Sequence, residues 1–153
     1  MKFFTLTFVF LVVFFSLGDV AIGHETAFAP LGYVTVVGVI DGDTIKVDIN
    51  GVPSIFGKGI LVRLLGIDAP EIHAKRQCER DAALRSKAFL EGILLKAKQV
   101  DLVNPSRDKY FRIDATVIAD GVDVSQASLK NNMAVPYDGG TKKKFKCPHK
   151  EVP

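Results

Sequence analysis

The chain has 153 residues, of which 48% are hydrophobic and 24% charged, and its formal net charge is +3 at pH 7. This composition excludes a disordered chain, a collagen-like repeat and a multi-span membrane protein, because the mean hydropathy of +0.21 comes largely from one N-terminal segment. The remaining residues suffice for one domain with a sizeable hydrophobic core.

The N-terminal segment has the layout of a secretory signal peptide. An apolar run over residues 3–17 follows Met1 and Lys2 and precedes small residues, with cleavage expected after Gly23. The run is short for a membrane span, although an uncleaved anchor is the alternative. We therefore expect a signal peptide over residues 1–23, a linker over residues 24–33, and a protein exported to the periplasm or the extracellular space.

Three short strands are predicted at the start of the domain, which we expect to span residues 34–140. The strands should cover residues 34–40, 44–49 and 60–65, with an irregular loop over residues 53–59. The first strand is β-branched and ends at the turn signal Asp41-Gly42. In the second strand, Ile45, Val47 and Ile49 alternate with other side chains, so they should share one buried face.

The second half of the domain begins with a polar loop over residues 68–75 and one long helix over residues 76–98. In that helix, apolar side chains recur at helical spacing at Ala82, Ala83, Leu90, Ile93 and Leu94. Strands follow at 99–104 and 112–119, separated by a turn at 104–106. A short helix begins at Asp123, which forms a capping box with Gln126, and ends near residue 131. This order predicts a five-stranded Greek-key barrel of the OB type, with helices.

Residues 141–153 form a basic tail, with five lysines against one glutamate and a net charge of +4. Residues 1–23 are neutral, so the rest of the chain carries a net charge of −1. A basic tail on a nearly neutral domain can attract a polyanion. The simpler interpretation is a solvated, frayed terminus.

Cys78 and Cys147 are the only cysteines. In an exported protein such a pair indicates a disulfide, which would join the tail to the long helix and stabilise the fold by about 2–4 kcal/mol. The alternatives have less support. A zinc site at Cys147 and His149 would lack further ligands, and no histidine is evidently placed as the base for a catalytic cysteine.

Charged side chains accompany the predicted strand ends. Arg63 lies in the apolar run of the third strand, where burial is unfavourable without an acidic partner. If the first three strands are neighbours, Asp43 and Asp68 meet near one end of the barrel, and they repel unless a cation lies between them. Their oxygens suit a hard cation, Ca²⁺ or Mg²⁺. Taken singly, Arg63 also fits a structural ion pair, and Glu71 after Pro70 fits the first turn of a helix.

Three ordered segments give this pattern its specificity. They are Val39–Val47, Val62–Glu71 and Asp108–Arg112. In this order they resemble the signature segments of the staphylococcal nuclease (thermonuclease) family, and the resemblance extends over about residues 34–137. It implies an OB-fold barrel that hydrolyses DNA and RNA with Ca²⁺ and leaves 3′-phosphate ends.

The resemblance also implies a metal site and a catalytic carboxylate. Asp43 and Asp68 would ligate Ca²⁺ through their carboxylates, and Ala69 through its backbone carbonyl. Glu71 would orient or deprotonate the attacking water, a task that suits a carboxylate. A cation beside the phosphodiester is chemically reasonable, because the anionic substrate otherwise repels hydroxide.

Further residues would hold the substrate. The resemblance implies that Arg63 and Arg112 bind phosphate oxygens, which arginine can do bidentately and lysine cannot. Lys109 and Tyr110 would contact a terminal phosphate of the nucleotide, and Tyr137 is a further pocket residue. Both arginines would gain interaction energy as charge develops in the transition state.

The chain departs from the family at several positions. Phe111 stands where the family usually has glycine, and because phenylalanine resists positive φ, the turn before Arg112 should differ. The loop over residues 53–59 holds extra residues. Few residues follow Tyr137, so the family's last helix should be short or missing, and a Cys78–Cys147 bridge would take over its clamping role.

Two alternatives compete with a nuclease. A non-catalytic OB-fold module would bind single-stranded nucleic acid through basic and aromatic side chains, and a secreted structural domain would use the barrel only as a scaffold. Neither needs an acidic trio beside two arginines, so the pattern favours catalysis. We expect a monomeric endonuclease with DNA and RNA as substrates, little sequence specificity and no obligate protein partner.

Overall fold

A computed structural model describes residues 32–108, 110, 112–142, 145 and 147. The predicted signal peptide over residues 1–23, and residues 24–31 of the predicted linker, lie outside this range. The strands are β1 (Val34–Val39), β2 (Thr44–Ile49), β3 (Ile60–Leu64), β4 (Ile67–Asp68), β5 (Val100–Arg107), β6 (Ile113–Ala119), β7 (Val122–Asp123) and β8 (Val135–Pro136). The helices are α1 (Ser54–Gly57), α2 (Gln77–Leu94) and α3 (Val124–Lys130).

The longer strands form one curled sheet in the order β1-β2-β3-β6-β5, with β7 paired to β6. Strand β3 runs parallel to β6, and the other neighbours in this sheet are antiparallel. An isolated bridge between Tyr33 and Asp101 joins the start of β1 to β5, so the sheet curls back on itself. The predicted OB-type barrel with helices is confirmed.

The core lies inside this curled sheet and under helix α2. Ile45 and Val47 of β2 are fully buried and Ile49 is 8% exposed, as their alternation predicts. Strand β6 repeats the pattern with Ala115, Val117 and Ala119. Because successive side chains of a strand point to opposite faces, β2 and β6 contribute every second residue to the core along most of their length.

Helix α2 packs one face against the barrel, through Ala82, Ala83, Ser86, Leu90 and Leu94. The predicted end at residue 98 is wrong, because the helix stops at Leu94. The Asp120 carboxylate accepts hydrogen bonds from the backbone N–H groups of Lys98 and Gln99, which draws this segment into the start of β5. At the start of α3, the Asp123 side chain accepts the Gln126 N–H at 3.0 Å, so the predicted cap is present.

Three loop predictions need correction. The expected turn at 104–106 lies within β5, where the pairing with β6 shifts register between Val103 and Ser106. Asn104 has φ +52° there and Pro105 lacks an N–H, so the pair produces a β-bulge rather than a turn. The expected loop at 53–59 contains the single turn α1, and the expected loop at 68–75 begins with the end of β4, which pairs with β8.

A disulfide joins Cys78 of α2 to Cys147, with the two Cα atoms 5.8 Å apart, so the predicted bridge is present. Beside it, the Arg76 guanidinium donates to the carbonyl of Phe145. The tail is therefore attached to the start of α2 at two points. Within the described part of the chain, none of the helices is long and apolar enough to span a membrane.

Candidate active site

The turn between β1 and β2 fixes the first acidic residue. The Asp41 carboxylate accepts the Asp43 N–H at 3.1 Å, which is a local turn stabilised by a side chain. Asp43 Oδ1 accepts the Thr44 hydroxyl at 2.9 Å, and the Asp43 carbonyl accepts the Leu64 N–H of β3. Asp43 is 8% exposed, so its carboxylate is held in one position by the barrel itself.

Gly42 is required here for close packing rather than for an unusual φ. A Cβ atom on this residue would overlap Ser86 of α2 and would lie 2.7 Å from the Ala69 Cβ. The turn that carries Asp43 therefore lies directly against α2 and against the segment after β4. The sequence indicates a turn at Gly42 but gives no sign of this contact.

The short pair of strands β4 and β8 positions the second acidic residue. Asp68 pairs with Val135, and its side chain is 9% exposed. The next residue, Ala69, donates its backbone N–H to Asp43 Oδ2 at 3.0 Å. This hydrogen bond links the two segments that carry the predicted metal ligands.

Arg63 lies between the two carboxylates. Its Nη2 atom is 3.8 Å from Asp43 Oδ2 and 3.7 Å from Asp68 Oδ1, and it donates to the Ile67 carbonyl at 2.9 Å. The Tyr137 ring covers the guanidinium, with its centroid 5.1 Å from Cζ. The arginine side chain is only 12% exposed, so two buried negative charges surround one buried positive charge.

Burial is the main influence on the pKa of the Asp43 carboxyl. It raises the pKa of this carboxyl above its ordinary value, and the Ala69 amide, the Arg63 guanidinium and the Thr44 hydroxyl oppose the shift without cancelling it. The repulsion of Asp41 acts in the same direction as burial. The Asp43 carboxyl is thus harder to ionise in the folded protein than in water.

Glu71 and Lys142 form the open side of the site. The Glu71 side chain is 67% exposed, and its Oε1 accepts from Lys142 Nζ at 2.9 Å. The same ammonium lies 2.9 Å from Asp68 Oδ1. Partial burial lowers the pKa of Lys142, but its contacts with Glu71 and Asp68 outweigh this effect and raise the pKa above its ordinary value.

Arg112 reaches the site from the turn between β5 and β6. Its Nε and Nη2 atoms each lie 2.8 Å from Asp108 Oδ2, and its guanidinium lies over the Tyr110 ring at 5.6 Å. Burial alone would raise the pKa of Asp108, but hydrogen bonds from Arg112 and from the Tyr110 N–H outweigh it and hold the pKa below its ordinary value. Lys109 and Phe111 lie outside the described residues.

These side chains border one cleft of about 450 Å³. Its lining includes seven of the predicted site residues, namely Asp43, Arg63, Ala69, Glu71, Tyr110, Arg112 and Tyr137. Asp68 lines an adjacent cavity of about 450 Å³ that extends towards α2 and Phe145. Glu71 and Lys142 line both, so they stand where the two openings meet.

The donors at this site fit the Ca²⁺ that the resemblance implies. The described residues hold no group of three His, Cys, Asp or Glu side chains that would bind a metal, so carbonyl oxygens and water would have to complete the coordination. Asp68 Oδ1 is buried and accepts no hydrogen bond of good geometry within the described chain, and its partners are the cations of Arg63 and Lys142. Such an oxygen, near a second buried carboxylate, suits a hard cation.

The sequence does not indicate the roles of three residues around the site. Asp108 was visible in the third segment, but nothing indicated that it would hold Arg112. Asp114 lies opposite Arg63 in the β3–β6 register, and its Oδ1 is buried without a hydrogen bond in the described chain. In the sequence Lys142 is one charge of a basic tail, and no local signal marks it as a partner of Asp68.

The chain is similar in sequence to known nucleases. A family model described as staphylococcal nuclease homologue matches residues 61–151. Over 107 residues the chain is 36% identical to endonuclease YncB of Bacillus subtilis (strain 168), covering 66% of this chain and 46% of that protein.

Two further relatives carry similar names. SPbeta prophage-derived endonuclease YokF of Bacillus subtilis (strain 168) is 36% identical over 107 residues, covering 66% of this chain and 33% of that protein. The probable endonuclease LCL3 of Podospora anserina is 32% identical over 102 residues, covering 63% of this chain and 36% of that protein. The chain therefore spans less than half the length of these relatives.

Proposed function

The chain belongs to the staphylococcal nuclease family, and we propose that it is an exported, Ca²⁺-dependent endonuclease that hydrolyses phosphodiester bonds of DNA and RNA. The named activity of its relatives supports the reaction class. Hydrolysis would expel the 5′-oxygen and leave 3′-phosphate ends. Because the site is built to bind phosphate rather than bases, we expect little sequence specificity.

One observation carries this proposal, namely that two arginines and an exposed carboxylate border the same cleft. Arg63 approaches it from β3 and Arg112 from the turn between β5 and β6, and Glu71 lies on its open side. A non-catalytic binding module would need the arginines and the tyrosines only. An exposed glutamate in a phosphate-binding cleft repels the substrate, so its presence is better explained by a role in the reaction.

The arginines would bind and orient the phosphate. Arg63 uses one nitrogen on the Ile67 carbonyl, and Arg112 uses two on Asp108, so both guanidinium groups are oriented before substrate arrives. Orientation in advance lowers the cost of reorganisation at the moment of reaction. As negative charge accumulates on the phosphoryl oxygens, both guanidinium groups would interact more strongly than in the ground state.

Glu71 would act on the attacking water. Its side chain is largely exposed, so water reaches it directly, and its carboxylate can accept a proton or fix a water molecule by hydrogen bonding. For this, Glu71 must be free of the Lys142 ammonium that it now contacts at 2.9 Å.

Asp43, Asp68 and the carbonyl of Ala69 would hold Ca²⁺. When bound, the ion would neutralise charge on a phosphoryl oxygen and lower the pKa of a bound water. The residues themselves supply buried oxygens at fixed positions, since Asp43 is held by Thr44 and Ala69 and Asp68 is held in β4. Affinity on the order of 10⁻⁴–10⁻³ M is expected, as for other extracellular calcium sites.

Export and a monomeric state complete the proposal. The N-terminal signal-peptide layout supports export, and the Cys78–Cys147 disulfide fits an oxidising compartment. Nothing in the proposed reaction requires a protein partner. A protein processed in this way would start at His24.

The proposal is tested with protein expressed from the full-length chain. The exported fraction is collected and its N-terminus sequenced, and cleavage of plasmid and of single-stranded DNA and RNA is followed in millimolar Ca²⁺ or in chelator. We expect degradation that requires Ca²⁺ and products with 5′-hydroxyl ends. Replacing Glu71 with Gln should lower the rate by a factor on the order of 10²–10⁴.

A matched control is available on α2. Glu91 pairs with Lys87, so Glu91→Gln removes an equivalent charge away from the cleft and should leave the rate unchanged. Nucleic-acid binding without cleavage in the wild type would favour the non-catalytic OB module instead. Equal rates for the wild type and Glu71→Gln would remove Glu71 from the chemistry.

A further inference from the structure

The C-terminal part of the described chain is attached across the open side of the cleft. We call Lys142, Phe145 and Cys147 the tail strap. Cys147 is bonded to Cys78, the Phe145 carbonyl accepts from Arg76, and Lys142 contacts Asp68 and Glu71. The strap is thus anchored at the start of α2 and ends in an ammonium group within the candidate active site.

That ammonium contacts the oxygens that a bound cation would need. Lys142 Nζ lies 2.9 Å from Asp68 Oδ1, a buried atom that accepts no well-formed hydrogen bond in the described chain. It also lies 2.9 Å from Glu71 Oε1. Two cations that share one carboxylate oxygen repel each other strongly, because the local dielectric constant is lower than that of water.

We propose that Lys142 is a tethered counter-ion that competes with Ca²⁺ for Asp68 and keeps Glu71 engaged until the metal displaces it. The inference rests on the proposed function, since it concerns the same carboxylates. In the metal-free protein the lysine neutralises part of the negative charge of this site. Metal binding then has to move the ammonium away, which also releases Glu71.

Two features make the lysine displaceable yet always near. Its side chain is 52% exposed, so an alternative position in water is open to it at small cost. The disulfide at Cys147, five residues further along, keeps the ammonium close by and gives it a high effective concentration at the site. A free ammonium ion at ordinary concentration would compete much less.

The test measures metal binding directly, in the protein purified from the full-length chain. Tb³⁺ luminescence reports occupancy, and Ca²⁺ affinity follows from displacement of Tb³⁺. Lys142→Met keeps most of the side-chain length and removes the charge, and we expect it to tighten Ca²⁺ binding about fivefold, the size of one partly exposed ion pair. Lys142→Arg keeps the charge and should bind Ca²⁺ about as weakly as the wild type.

Two further variants separate this effect from general charge and from folding. Lys130→Met removes an exposed charge at the end of α3 and should leave the affinity unchanged. Replacing Cys78 and Cys147 by serine removes the disulfide anchor and should tighten Ca²⁺ binding less than Lys142→Met does, because the Arg76 contact with Phe145 remains. Adding Lys142→Met to the serine variant should then supply the rest of the gain. Urea unfolding of each variant checks that the fold persists.

Each outcome has one interpretation. Equal or weaker Ca²⁺ binding in Lys142→Met overturns the inference, as does the absence of Ca²⁺ binding in every variant. Cleavage of DNA, measured alongside, is scored separately. If the wild type cleaves DNA while Lys142→Met leaves Ca²⁺ affinity unchanged, the inference fails and the nuclease stands. If Lys142→Met tightens Ca²⁺ binding and none of the proteins cleaves, the nuclease proposal fails and the inference stands.

Discussion

The floor and the rim of the cleft are built in different ways. The floor consists of Asp43, Arg63 and Asp68, whose side chains are between 9% and 12% exposed and are carried by the barrel and by the β4–β8 pair. The rim includes Glu71 and Lys142, which are 67% and 52% exposed and lie on a loop and on the tail. Arg112 is intermediate, at 29%.

This difference separates stability from chemistry. Charges in the floor have lost most of their hydration, so removal of one partner leaves the others uncompensated and destabilises the fold. Charges on the rim remain partly hydrated, so their ion pairs contribute little to stability and can rearrange when a ligand arrives. We therefore expect floor substitutions to lower stability and activity together, and rim substitutions to change metal binding or activity with little effect on stability.

The largest effect is expected for Arg63→Met. Removal of the guanidinium leaves Asp43 and Asp68 facing each other without it, which should cost about 3 kcal/mol in the free energy of unfolding. Loss of one phosphate-binding group should lower the cleavage rate by a further factor on the order of 10²–10³. Urea denaturation in chelator and plasmid cleavage in Ca²⁺ measure the two effects.

The exposed Arg85 on α2 provides the control, because Arg85→Met should change neither quantity appreciably. A fully stable Arg63→Met protein would show that the two carboxylates do not depend on this arginine. The charges of Asp43, Arg63 and Asp68 would then not stabilise one another.

A smaller effect is expected for Gly42→Ala. The added methyl group overlaps Ser86 and Ala69, and such overpacking costs about 1–3 kcal/mol in stability. Because the same turn carries Asp43, Ca²⁺ affinity should also fall. Gly92→Ala is the matched change, since Gly92 lies in α2 with nothing within 4 Å of the added atom.

Gly92→Ala should raise the stability by about 0.5–1 kcal/mol, because alanine is the better helix former. Thermal unfolding should show a lower stability for Gly42→Ala and a higher stability for Gly92→Ala than for the wild type. A stabilised Gly42→Ala protein would mean that the turn can move away from α2 without loss.

For Arg112, whose exposure is intermediate, the substitution Arg112→Lys should lower the cleavage rate by about tenfold. The free energy of unfolding should change by less than about 1 kcal/mol. Lysine keeps the positive charge but cannot contact two phosphate oxygens in the planar geometry of a guanidinium. The ratio of kcat to KM should fall. A loss of stability as large as that of Arg63→Met would place Arg112 with the floor instead.

The sequence predicts the floor better than the rim, because short-range patterns in the sequence indicate the strands near the floor residues. Alternation of Ile45, Val47 and Ile49 indicates the barrel strand β2. Asp43 directly precedes this strand, and Asp68 lies four residues after the end of β3. The fold could be predicted because the alternation of apolar side chains along the longer strands indicates which face of each strand is buried. The residues Asn104 and Pro105 predict a turn where the structure has a bulge, because a turn and a bulge use the same residue types.

The rim depends on contacts between residues far apart in the chain. Lys142 meets Glu71 across 71 positions, and only the folded chain, with Cys147 bonded to Cys78, brings them together. Gly42 is similar, since its need for a small side chain arises from Ser86 on α2. Neither contact leaves a periodic or spaced pattern in the sequence.

Two carboxylates near Arg112 should give opposite pH dependences of stability. Burial, aided by the charge of Asp108, raises the pKa of Asp114 above its ordinary value of about 3.9. The folded state then holds the proton more tightly than the unfolded state, so the contribution of Asp114 to stability is present at low pH and is lost as pH rises above about 4. Asp108 has the opposite sign, because its hydrogen bonds to Arg112 lower its pKa despite burial, and its contribution is lost as pH falls below about 4.

Urea unfolding in chelator from about pH 2 to pH 6, a range of about 2 pH units on either side of the ordinary carboxyl pKa, would resolve the two contributions. Relative to Asp114→Asn, the wild type should lose stability as pH rises, because only the wild type must ionise a buried carboxyl on β6. Relative to Asp108→Asn, the wild type should lose stability as pH falls. Asp108→Asn should also bring the pKa of Asp114 closer to its ordinary value, because the repelling charge is gone. A stability difference between the wild type and Asp114→Asn that does not change with pH would mean that Asp114, on the strand beside Arg63, is as well solvated as a rim residue.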